Sequence, residues 1–206
     1  IGLAYSGLGE KRKALEYYEQ ALQIHREVGD RVFEGVVLGN IGGAYSDLGE
    51  KRKALEYYEQ ALQIHREVGN RVSEGRVLGN IGLAYSGLGE KRKALEYYEQ
   101  ALQIHREVGD RVDEGGVLGN IGTSYSDLGE KRKALGYYDD ALKIHQEVGN
   151  RVDEGRVLGY KGIAKFELGE KEEGIRLVEQ ALEIAHQVED KMFEEIWLEK
   201  LKEMRS

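Results

Sequence analysis

The segment IGLAYSGLGEKRKALEYYEQALQIHREVGD at residues 1–30 recurs unchanged at residues 81–110. Residues 41–70 repeat it with changes only at Gly43, Asp47 and Asn70, and looser copies occupy 121–150 and 161–190. The period is forty residues throughout, and a repeat of that length builds either a pair of helices or a four-stranded propeller blade. The apolar pattern selects helices. In the copy at 71–110, Val77, Leu78, Ile81, Gly82, Ala84 and Tyr85 stand three and four apart, and Ala94, Leu95, Tyr98, Ala101, Leu102 and Ile104 follow with the same period. That spacing lines one face of a helix, whereas a half-buried strand alternates every second residue.

Punctuation residues set the boundaries. Gly69 and Gly109 suit the left-handed position that ends a helix. Asn70 and Asp110 follow directly, as caps whose side chains accept from the free N–H groups of the next helix. Gly49 and Gly89 stop the first helix of each pair. First helices are therefore expected near 31–47, 71–87, 111–127 and 151–167, and second helices near 11–28, 51–68, 91–108, 131–148 and 171–188. Residues 1–206 read as one solenoid: a truncated repeat at 1–30, full repeats at 31–70, 71–110, 111–150 and 151–190, and a capping helix at 191–206. In that last segment Phe193, Ile196, Trp197, Leu201 and Met204 line one side and charges the other. The chain opens at Ile1 in mid-repeat and is expected to be a piece of something longer. One helix pair cannot bury its own apolar face; stacking on its neighbours does so.

Composition narrows the function. The chain holds no cysteine and no proline, and its formal charge is −8. Without cysteine there is no disulfide framework, thiolate metal site or cysteine nucleophile, and the composition fits a reducing, cytoplasmic compartment. A net acidic chain is a poor partner for nucleic acid, whose binding rests on lysine and arginine. No apolar run approaches the ~18 residues of a membrane span. No nucleophile, base and orienter fall where they could meet, so no catalytic residues, cofactor or metal are expected.

The motif carries a family resemblance. From Leu78 the unit reads L-x-x-I-G-x-A-Y-x-x-x-G and then A-L-x-x-Y-x-x-A-L, with Ile81, Gly82, Ala84, Tyr85, Gly89, Ala94, Tyr98 and Ala101 at the signature positions. This resembles the tetratricopeptide repeat (TPR) and covers nearly the whole chain. Two departures stand out. Leu38, Leu78, Leu118 and Leu158 replace the frequent tryptophan, and Arg66, Arg106 and Gln146 replace the usual proline after the second helix. The second helix then runs on, giving forty residues instead of thirty-four. The stretch EGRVLGNIGLAY at 74–85 is similar to the forty-residue repeats of Pins-like adaptors and of bacterial TPR arrays. The resemblance implies an all-α, right-handed superhelical solenoid of antiparallel helix pairs. It also implies a non-catalytic scaffold whose first helices line a concave groove for an extended peptide of a partner.

Spacing then nominates groove residues. Beside the buried face at 78, 81, 82 and 85 runs a second stripe at 76, 80, 83 and 87, which the resemblance makes concave. It holds Arg76, Asn80, Leu83 and Gly87; Val36, Asn40, Gly43 and Asp47; Gly116, Asn120, Thr123 and Asp127; and Arg156, Tyr160, Ile163 and Glu167. Asn40, Asn80 and Asn120 form a ladder of carboxamides, each with donors and an acceptor for a peptide backbone; the alternative is that they bond a neighbouring helix and set the stacking. Gly39, Gly79, Gly119 and Gly159 stand one residue earlier and are expected to widen the groove. Arg76 and Arg156 suit an acidic or C-terminal group on some ligands; the alternative is a solvated charge or a bridge to Glu74 or Glu154. His25, His65, His105 and His145 recur once per repeat, too far apart to share a metal ion, and read as surface or inter-helix residues. The GLGEK segments read as turns, since they lack the order of a phosphate loop. The KRK runs read as solvated faces. A competing role is structural: self-association through the repeat ends or the capping helix, favoured by Ile1 and Leu3 at an open apolar edge.

Overall fold

The computed structural model describes residues 1–206. It consists of eleven helices: α1 (Gly2–Gly7), α2 (Lys11–Glu27), α3 (Arg31–Asp47), α4 (Lys51–Glu67), α5 (Arg71–Gly87), α6 (Lys91–Val108), α7 (Arg111–Asp127), α8 (Lys131–Val148), α9 (Arg151–Glu167), α10 (Lys171–Gln187) and α11 (Lys191–Arg205). There is no strand. The chain divides into two compact units, Ile1–Val108 with α1–α6 and Gly109–Ser206 with α7–α11. Within each unit every helix packs on its neighbour in the chain, and first helices of successive pairs also touch, α3 on α5 and α7 on α9.

The helix ends follow from the predicted punctuation. Nine glycines, one per helix end from Gly9 to Gly169, adopt φ between 69° and 91°, a region that a Cβ makes costly. After Gly69 the chain closes with Asn70 N–H donating back to the His65 carbonyl at 2.9 Å, which satisfies an otherwise orphaned helix carbonyl. Asp30, Asn70, Asp110, Asn150 and Asp190 then cap α3, α5, α7, α9 and α11, each side chain accepting a backbone N–H three residues on. The tenth turn breaks the rule: Glu189 occupies the left-handed region at φ 57° without being glycine.

The buried faces are those read from the spacing. Leu38, Ile41, Leu78, Ile81, Leu118 and Ile121 are all but fully buried. The signature glycine has a steric reason. A Cβ on Gly82 would lie 2.5 Å from a ring carbon of Tyr98, so only glycine lets that ring lie flat against the α5 backbone. The last pair solves the same problem differently. Gly162 and Gly174 face one another, and a Cβ on Gly162 would lie 2.8 Å from the Gly174 carbonyl oxygen.

A carboxylate link that the periodicity did not announce ties successive pairs together. Glu34, Glu74, Glu114 and Glu154 are buried. Glu34 accepts from Arg26 at 2.9 Å and Arg31 at 2.5 Å, and Arg31 also reaches Glu67 of the next second helix at 2.6 Å. Glu74 likewise takes Arg66 and Arg71, and Arg71 reaches Glu107. In the second unit Glu154 takes Arg151 at 2.5 Å and the Gln146 amide at 3.0 Å. Burying a charge costs several kcal/mol unless it is paired, and each of these carboxylates meets that condition.

The terminal helix α11 buries Phe193, Trp197 and Leu201 against α9 and α10. Trp197 is fully buried and lies edge-on to Tyr160, ring centroids 5.4 Å apart. Its far side is less polar than a solvating cap requires. Leu198 is 43% exposed, and Leu182, Leu198 and Leu201 line an open groove between α10 and α11.

Candidate functional site

The stripe of first-helix residues is accessible in both units. In the first, Val36, Asn40 and Gly43 of α3 and Asn80 of α5 are half-buried, while Arg76 and Leu83 are exposed. In the second, Asn120 and Thr123 of α7 and Arg156, Tyr160 and Ile163 of α9 are half-buried. The carboxamides of Asn40, Asn80 and Asn120 are not held by a neighbouring helix, and none is a buried polar group lacking a partner. Successive pairs are joined by the apolar core and by the buried glutamates with their arginines.

Three readings of this face need correction. Two of the glycines beside the amides, Gly119 and Gly159, are buried under the next helix and do not widen a groove, whereas Gly39 and Gly79 stay half-exposed. A Cβ on Gly119 would lie 3.2 Å from Val157, one on Gly39 would lie 3.8 Å from Val77, and Gly159 is covered by the Trp197 indole, 2.4 Å from where its Cβ would be. Arg156 does not bridge to Glu154, whose oxygens are taken by Arg151 and Gln146. It is not a solvated charge either. Its guanidinium donates to Asp190 at 2.9 Å and to Asp153 at 3.4 Å, and lies 4.6 Å over the Phe193 ring. Finally, the last rung of the stripe belongs to the turns: Asp47 pairs with Lys11 at 2.6 Å and Glu167 pairs with Lys131. Lys51, opposite Gly87, donates to the carbonyl and hydroxyl oxygens of Ser46, each at 2.9 Å.

The second unit gathers its part of the stripe around a hollow of about 280 Å³ between α7 and α9. Gly116, Asn120 and Thr123 form one wall; Asp153, Arg156 and Tyr160 form the other. His145 of α8 and Phe193 of α11 complete the lining. Thr123 donates its hydroxyl to the Gly119 carbonyl at 3.1 Å. Burial pushes the Tyr160 phenol up, against the pull of Arg156, so it stays a neutral donor and acceptor. Asp190 is held below the usual carboxylate range, chiefly by its bond from Arg156.

His65, His105 and His145 prove to be interior residues, 0–1% exposed. Each lies against the first-helix glycine that precedes it, Gly35, Gly75 and Gly115 respectively. His25 is only partly covered and stacks on Phe33, centroids 5.4 Å apart. The spacing missed Asp153, Asp190, His145 and Phe193 as neighbours of the hollow. The signal for Asp153 was a change within the repeat, where Phe33 and Ser73 become Asp113 and Asp153.

The sequence profile of the tetratricopeptide repeat matches residues 1–67, 37–107 and 113–187. The chain belongs to the tetratricopeptide repeat family. No curated protein matches it. Among solved structures, the TPR chain is similar to a Rap protein complexed with competence and sporulation factor (TM-score 0.83, 18% identity, 95% of this chain and 55% of that one). It is similar to the Rap conjugation gene regulator of plasmid pLS20 in complex with the Phr* peptide (0.80, 18%, 95% and 54%). It is also similar to TPR-like repeats of a kinesin light chain from Podosopora anserina (0.73, 18%, 92% and 93%). The chain thus spans about half the length of these Rap proteins. At such identities the likeness shows the shared fold. No helix is long and apolar enough to cross a membrane.

Proposed function

We propose that this TPR chain is a non-catalytic, cytoplasmic scaffold, one array over 1–206, that holds an extended peptide of a partner along its first helices. One observation carries the reading. Asn40, Asn80 and Asn120 recur once per repeat, half-exposed, on carboxamides that no neighbouring helix engages. An amide both donates and accepts, so it pairs with a peptide backbone whatever the side chains. First helices pack about 8–10 Å apart and an extended chain rises about 3.3 Å per residue, which gives one amide per roughly three peptide residues. Peptide complexes of the Rap proteins, on the same fold, support the reading. Arg76, Arg156, Val36, Leu83, Thr123, Tyr160 and Ile163 supply the side-chain contacts around the amides, and Gly43 lets the peptide backbone approach.

The test is a fluorescence-polarisation titration of peptides selected from a random library on the wild-type chain. The double variant Asn80→Ala/Asn120→Ala is expected to bind them at least about tenfold more weakly, the equivalent of 1.4 kcal/mol. Equal affinity with an unchanged circular-dichroism spectrum defeats the proposal.

A further inference from the structure

We propose that the hollow between α7 and α9 is a specificity pocket for a basic side chain, lysine or arginine, of the bound peptide. This rests on the peptide-binding reading and deepens it.

The hollow is specific to this step of the repeat. Gly116 stands where the earlier repeats carry Val36 and Arg76, and a Cβ there would meet nothing within 4 Å. The missing side chain leaves the space open. The lining carries one carboxylate, Asp153, and one cation, Arg156, through which Asp190 is joined to them. Its one cation, Arg156, is committed to Asp190 at 2.9 Å and Asp153 at 3.4 Å, and two carboxylates on one guanidinium leave a net negative charge. The guanidinium rests on Phe193 at 4.6 Å and is already paired with two carboxylates.

His145 also lines the hollow, fully buried against Gly115, and burial lowers its pKa against the opposing pull of Asp153, Glu154 and Gly115. A neutral imidazole adds no positive charge to the lining. The Asn120 carboxamide oxygen and the Asp153 carboxylate are acceptors suited to an ammonium or guanidinium. The surroundings agree: Gly109–Ser206 carry 22 acidic against 15 basic residues, −7 of the chain's −8. Such a field favours approach of a cationic partner.

The experiment selects twelve-residue random peptides on the full chain and measures the affinity of each selected peptide and of its Lys→Glu or Arg→Glu version. Three proteins are compared: wild type, Gly116→Arg, and Asp153→Asn/Asp190→Asn. Gly116→Arg places in the hollow the residue that Arg76 already provides one repeat earlier, and asparagine at 190 still caps α11. Selected peptides are expected to share a basic position whose reversal costs about tenfold or more. Gly116→Arg should abolish that dependence, and the double aspartate variant should prefer the Glu version. Peptides that bind yet are indifferent to charge, or bind Gly116→Arg as tightly as wild type, overturn the pocket and leave the groove standing. A selection that yields no binder defeats the groove, and the pocket with it.

Discussion

Substituting Gly82 by alanine tests whether the signature glycine is a steric requirement of the fold. Gly82 lies within α5, where alanine ordinarily stabilises a helix by about 1 kcal/mol over glycine. Here the new Cβ would sit 2.5, 2.6 and 3.0 Å from three ring carbons of Tyr98. That ring is 1% exposed, so it cannot swing into solvent and must displace its neighbours. Overpacking of this kind costs about 1–3 kcal/mol, and three such contacts on an immobile ring place it in the upper half of that range. Subtracting the helix gain leaves a net loss of about 1–2 kcal/mol. Gly136→Ala is the control: it lies in α8, is exposed, and its Cβ would meet nothing within 4 Å. It should stabilise by about 1 kcal/mol. Urea titrations followed by circular dichroism read both. In a Tyr98→Ala background the cost of Gly82→Ala should disappear, since the two residues couple by contact. Shifts of the same sign for Gly82→Ala and Gly136→Ala, or a cost that persists without Tyr98, would refute the reasoning.

Glu189→Gly should raise the melting temperature by relieving the one non-glycine residue at positive φ, worth about 1–2 kcal/mol; an unchanged melt counts against strain there. Stability should fall in two stages on acidification. His65 and His145 have pKa values lowered by burial from 6.5. The unfolded chain therefore binds their protons first, and the stability they contribute is full above 6.5 and lost as pH falls below it. Melting temperature against pH reads this, and His65→Gln/His145→Gln should flatten the first stage. For Glu34, burial pushes the carboxyl up but the bonds from Arg26 and Arg31 outweigh it and hold it below 4.5. Its contribution is present above 4.5 and lost below, so Glu34→Gln should shrink the second, more acidic stage.

Periodicity alone determined the helices, their ends and the side each buries. Three- and four-residue spacing fixes a helix face, and glycine followed by Asn or Asp fixes an end, whatever else the chain does. Leu78, Ile81 and Tyr85 were readable as interior, and Asn80 as lying on the stripe beside them, because neighbours along one helix are set by local geometry. What a side chain meets across helices was decided only by the tertiary structure. Arg156 looked free to bind an acid; it is held by Asp190, thirty-four residues away at the cap of α11. Glu34 and Glu74 are buried under arginines from two different helices, a contact that no spacing within one helix announces. Gly159 looked like an open position in a groove, yet Trp197 fills it. An internal repeat predicts contacts that recur at the period; it carries no information about contacts made by the segment that departs from it. The residues around the hollow meet where the repeat gives way to α11.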